Sequence, residues 1–73
     1  MEMTAAKLKE IGELLYGDRW QSALARDLEV TDRTVRRWAA GKFRVAADVP
    51  RKLRKVMAAR ATLLAAVRRK LPR

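Results

Sequence analysis

The chain has 73 residues, enough for one small domain, and a formal charge of +10 from eighteen Lys and Arg against eight Asp and Glu. It holds no cysteine and no histidine, which excludes disulfides, thiol nucleophiles, the usual zinc ligand sets and imidazole acid–base chemistry. No apolar run is long enough for a membrane span, and no basic segment followed by an apolar core opens the chain as a signal peptide would. The composition therefore predicts a soluble, cytoplasmic, basic domain with an acidic partner. A chain this short buries only about 60–65% of its unfolded surface, so its core is small.

The apolar spacing predicts an all-α domain of four helices. The first covers 4–16, with Leu8, Ile11, Leu14 and Leu15 recurring at helical intervals. Gly17 is suited to end it in a left-handed conformation. Asp18 then stands as a cap for a second helix over 19–28, with Gln21 three residues on at capping-box spacing. Its inner face is Trp20 or Gln21 with Leu24, Ala25 and Leu28. A short turn, Glu29-Val30, leads to Thr31, a good N-cap for a third helix over 32–40. Gly41 ends that helix, and residues 42–47 form a loop. Asp48 is placed to cap the last helix, over 48–70, with Pro50 in its first turn and Pro72 beyond its end.

The charge is divided along the chain. Residues 1–30 hold four basic and six acidic side chains, a net of −2; residues 31–73 hold fourteen and two, a net of +12. Such asymmetry is the electrostatic footprint of a nucleic-acid binder, whereas a surface charged for solubility alone mixes its signs.

The two middle helices carry the most specific pattern. A tight helix-turn-helix needs a small residue where the helices cross, and Ala25 fits that place. It needs apolar residues along the inner angle: Leu24, Leu28, Val30, Val35 and Trp38. Its second helix must then present long polar side chains, and Asp32, Arg33, Arg36 and Arg37 share the outward face. This stretch resembles the helix-turn-helix regulators of the Cro type and the xenobiotic-response-element type. Their pattern has Gln first, Ala fifth and apolar residues after the turn and at the fifteenth and eighteenth positions, here Gln21, Ala25, Val30, Val35 and Trp38. The ending Arg-Arg-Trp-Ala-Ala-Gly is similar to many of them, and the likeness covers residues 18–49. In size the chain resembles small phage and mobile-element repressors, among them the anti-CRISPR-associated regulators. It departs from the pattern at the ninth position, where Glu29 replaces the family's Gly; a side chain in a left-handed turn costs about 1 kcal/mol.

The resemblance implies that the third helix lies in the major groove with its N-terminal residues at the base edges. Base readout then falls to Arg33, Arg37, Asp32 and Arg36, with Arg33 best suited to grip guanine O6 and N7. Asp32 has two roles open to it, accepting from a cytosine amino group or stabilising the helix dipole. Gln21 either meets a phosphate at its helix N-terminus or caps that helix. Thr31, Thr34, Lys42 and Arg44 are the remaining phosphate-contact candidates. Phe43 is expected to close the core rather than to act as a wedge or stacking platform, and Trp38 also belongs inside.

The last helix spans about 34 Å at 1.5 Å per residue, more than the core it covers. Val49, Leu53, Val56, Met57, Leu63, Leu64, Val67 and Leu71 share one arc, with Arg60 in its middle. Val49 to Met57 are expected to complete the domain's core. Leu63, Leu64, Val67 and Leu71, within a dimerisation segment over 60–71, are expected to pack on a second copy. The alternative is one long intrachain amphipathic helix. Arg60 in an apolar arc needs a partner, expected to be an acid of the first helix or of the other subunit. The basic flank of Arg51, Lys52, Arg54 and Lys55 either adds phosphate contacts or stays solvated.

Residues 1–73 thus read as a single helix-turn-helix domain, with no enzyme, metal or cofactor site and no small-molecule pocket in view. The expected function is a homodimeric, sequence-specific DNA-binding regulator in the bacterial nucleoid. It would repress by occupying an inverted repeat in a promoter, its own operon's by the family likeness. Two other classes stay open: a nucleic-acid binder without regulatory action, such as a recombinase fragment or an RNA binder, and a membrane or partner binder built on the last helix.

Overall fold

A computed structural model describes residues 3–72. Four helices follow one another: α1 (Ala5–Tyr16), α2 (Trp20–Leu28), α3 (Asp32–Ala39) and α4 (Val49–Lys70). There is no strand among the described residues. The domain is all-α, and no described helix is long and apolar enough to cross a membrane.

Local signals explain most boundaries. The Thr4 hydroxyl accepts from the Lys7 amide at 3.1 Å and starts α1. Gly17 takes φ 83° and its N–H reaches back to Glu13, ending the helix. The start of α2 differs from the expectation. Asp18 and Arg19 form a turn, Arg19 occupies the N-cap, and no side chain caps the helix. Asp18 stands one residue too early to reach the first free amides, so no capping box forms with Gln21.

Alpha-2 closes on Glu29, the one non-glycine residue with positive φ among those described, at φ 60° and ψ 40°. The Glu29 amide bonds to the Arg26 carbonyl and the Val30 amide to the Ala25 carbonyl. This pair of bonds is the Schellman closure, which a left-handed residue makes possible. The same closure ends α3: Gly41, at φ 75°, donates to Trp38, and Lys42 donates to Arg37. Helix α3 stops at Ala39, one residue short of the expectation, with Ala40 as its cap.

Asp48 does occupy the N-cap of α4, but its side chain caps nothing. Its backbone is helical rather than extended, which turns the carboxylate away from the free amides, and the carboxylate pairs with Lys52 Nζ at 3.4 Å instead.

The core joins all four helices. Leu8 from α1, Trp20, Leu24, Ala25 and Leu28 from α2, Val35 and Trp38 from α3, and Val49 and Leu53 from α4 are buried together with Val45 from the α3–α4 loop. Each large apolar side chain removed from water contributes about 1.5–3 kcal/mol. Trp20, rather than Gln21, is the inward residue of the first turn of α2. Its indole lies on Gly12: a Cβ there would stand 2.6 Å from Trp20 Cδ2 and closer still to Cε3. Gly12 is therefore the place where α1 and α2 approach.

Three apolar residues expected inside are outside. Leu14 is 81% exposed, Phe43 56% and Met57 45%. In α1 the core side is taken by Leu8, with Ile11 and Leu15 half-buried beside it, and Leu14 points away. In the loop Val45 fills the gap that Phe43 was expected to fill. In α4 the core ends at Leu53, with Val56 half-buried at its edge.

Two cations of α4 latch onto the carboxyl ends of other helices. Lys52 Nζ donates to the Leu28 carbonyl at 3.4 Å and Arg60 Nη1 to the Leu15 carbonyl at 2.9 Å. Both meet the negative pole of a helix dipole. Arg60 also lies over the Tyr16 ring, 4.7 Å from its centroid. Within the chain its partners are thus a backbone carbonyl and an aromatic face, not an acid of the first helix. Tyr16 Oη donates to Asp27 Oδ2 at 2.6 Å. Burial, then that bond and the Asp27 charge, push the Tyr16 hydroxyl up to about 12, with Arg60 pulling the other way.

Candidate nucleic-acid interface

Alpha-3 is held by one side and offers the other. Thr31 Oγ1 accepts from the Thr34 amide at 3.2 Å, the expected N-cap. The two threonine hydroxyls bond to each other at 2.9 Å. Val35 and Trp38 bury the inner face. At 100° per residue Asp32, Arg36, Arg33 and Arg37 fall within one outer arc of about 140°. Arg33 and Arg36 are exposed and Arg37 is half-buried. With no Cβ-branched or apolar residue in that arc, the outer face of α3 is three guanidinium groups and one carboxylate.

The carboxylate is already engaged. Ser22 Oγ donates to Asp32 Oδ2 at 2.8 Å and ties the start of α3 to the start of α2. This bond fixes how α3 projects, a role beside the two considered from sequence. Arg37 is engaged as well: its guanidinium lies 5.2 Å from the centroid of the Phe43 ring. Phe43 is thus an exposed ring that carries the Arg37 guanidinium, next to Lys42 and Arg44, which are both exposed.

Gln21 lies in the first turn of α2, half-buried, where no side chain caps the helix. It lines one depression with Trp20, Lys9 of α1 and Arg36 of α3. Three helices therefore bring two cations and an amide to one spot beside the arginine face. Lys9 and Ser22 were missed by sequence reasoning. Ser22 lay inside the recognised stretch, but its acid is ten residues away. Lys9 lay outside that stretch, and nothing local marks it.

The dimerisation candidates Leu63, Leu64, Val67 and Leu71 are all exposed. They stand on the part of α4 beyond Arg60, apart from the arginine face of α3. Among the described residues no group of three acids, cysteines or histidines is arranged to hold a metal.

Compared with known proteins, the chain matches no family model, no curated protein and no solved structure.

Proposed function

We propose that this protein is a sequence-specific DNA-binding transcription regulator, a homodimer that inserts α3 into the major groove at each half of an inverted repeat. The observation that carries the reading is the outer face of α3. Arg33, Arg36 and Arg37 project from a short helix whose other face is locked in the core and whose start is pinned by Thr31 and by Ser22–Asp32. Arginine forks match guanine O6 and N7 in the major groove. Arg33, nearest the helix start, is the principal base reader; Arg37 and Arg36 follow it, and Asp32 orients the helix and meets the groove edge. Gln21, Thr31, Thr34, Lys42 and Arg44 serve the phosphates, which position the protein without specifying sequence.

The chain's likeness to small Cro-type repressors supports repression by occupancy: a domain of this size excludes polymerase sterically when its site overlaps a promoter. Autoregulation of its own operon belongs to the same reading, as does action in the nucleoid of a bacterial host.

The test is selection of bound duplexes from a random pool at near-physiological salt, followed by sequencing. The expected result is an enriched inverted repeat with half-sites about one helical turn apart. Binding that falls steeply with salt and enriches no sequence favours the other nucleic-acid reading, a recombinase-type fragment or an RNA binder, because charge alone then accounts for it.

A further inference from the structure

The apolar stripe of α4 outruns the body of the protein. Val49 and Leu53 are buried, Val56 is half-buried, and Arg60 is fastened to α1. Beyond Arg60 no described side chain is buried. Yet the pattern goes on. Leu53, Met57, Arg60, Leu64, Val67 and Leu71 alternate steps of four and three, the seven-residue repeat by which two helices pack along a seam. From Met57 onward its apolar members are exposed, with Leu63 beside them.

We propose that a second copy of this chain covers the seam, with the two α4 helices antiparallel about Leu64, so that Leu71 of one copy meets Met57 of the other. This deepens, and rests on, the dimeric reading above. Two observations favour the antiparallel sense. First, one face of α4 both holds the body through Val49 and Leu53 and carries the seam. Parallel helices would bring both bodies to the same level, on the side where the helices must meet. Antiparallel helices carry the bodies to opposite ends. Second, α4 has no acid, and its last turn holds Arg68, Arg69 and Lys70. Parallel pairing would gather six cations at one end, which like-charge repulsion opposes. Antiparallel pairing carries each basic end to the partner's depression lined by Asp27, Val56, Ala59, Arg60 and Leu63. Asp27 accepts from Tyr16 through one oxygen and keeps the other for a cation. A seam this short is small beside a standard interface of about 1,600 Å², so the dimer is a weak one that a two-site duplex strengthens by holding both copies.

The chain has no cysteine, so introduced cysteines report directly. Met57→Cys mixed with Leu71→Cys should give a disulfide-linked dimer on mild oxidation, and Leu71→Cys alone should not. Leu64→Asp, at a site exposed in the single chain, should keep the helical melt and lose self-association in sedimentation. Linkage of Leu71→Cys with itself as readily as in the mixture overturns the antiparallel sense. A Leu64→Asp chain that still dimerises overturns the seam. So does a wild-type chain that stays monomeric at concentrations approaching the millimolar range, whether or not it binds vesicles of anionic phospholipid. Sequence-selective DNA binding by a monomer would remove this dimer and leave the DNA reading standing; a cross-linked dimer without sequence preference would do the reverse.

Discussion

The guanidinium of Arg37 lies over the Phe43 ring, 5.2 Å from its centroid, and so couples the last turn of α3 to the loop that follows. A phenylalanine more than half exposed costs the fold little to lose, and a cation–π contact at such a site is worth about 0.5–1 kcal/mol. Phe43→Ala should therefore lower folding stability by no more than about 0.5–1 kcal/mol, the value of the lost contact, and, by releasing Arg37 from its place, weaken binding to a selected duplex about two- to fivefold. Phe43→Tyr should retain wild-type binding. Equilibrium titrations by fluorescence anisotropy, run beside thermal melts, make the check.

Glu29 pays for a left-handed backbone that glycine adopts freely. Its two neighbouring bonds, Glu29 to Arg26 and Val30 to Ala25, do not need a side chain. Glu29→Gly should raise stability by up to about 1 kcal/mol, the relief of left-handed strain less the added freedom of the unfolded glycine. Denaturant unfolding with an unchanged slope is the readout.

Gly12 gives the opposite result. In an exposed helix interior, Gly→Ala stabilises by about 1 kcal/mol. Here the new methyl meets the Trp20 ring, which is wedged into the core. Gly12→Ala should lower stability by about 1–3 kcal/mol, the usual cost of overpacking. Because Trp20 and Trp38 are the protein's two tryptophans, a shift in tryptophan fluorescence should accompany the loss.

The contrast between these sites shows how far the chain could be read from its letters. The four helices were legible because each has a helical apolar period, and α1 and α3 add a stop or start: Gly17 after α1, Thr31 before α3, Gly41 after it. The arginine face of α3 followed from the same period. What escaped depends on packing between distant segments. Phe43 and Val45 are both apolar and two residues apart in one loop, and only the closed fold decides which one enters. Leu14 obeys the period of α1 yet lies outside because Leu8, Ile11 and Leu15 already meet the core. Arg60 stands in the middle of the α4 stripe, but its partner in the chain is a backbone carbonyl forty-five positions away, and backbone groups carry no sequence signature. The Gly12–Trp20 contact likewise looks, in the sequence, like an ordinary helix glycine.

Tyr16 links stability to alkaline pH. Its hydroxyl is pushed from 10.0 to about 12 in the folded chain, so the fold favours the protonated form. That contribution is complete below pH 10 and is lost as pH rises through 12. Wild-type stability should fall across this window more than that of Tyr16→Phe, which has no hydroxyl to titrate. Lysine titration is common to both chains and drops out of the difference. Tyr16 is the sole tyrosine, so tyrosinate absorbance should report its midpoint directly. A midpoint near 10 in the folded chain would mean that neither burial nor the Asp27 bond holds the hydroxyl protonated.

In the proposed function Arg33 is the principal base reader of α3. The most direct measurement is duplex selection with wild type and Arg33→Ala side by side, at one salt concentration. The expected result is an inverted repeat for the wild type and the same repeat with one relaxed base pair per half-site for the variant, at a cost of about 1–3 kcal/mol at that position. An identical motif for both chains, or equal weakening on every sequence, would contradict it.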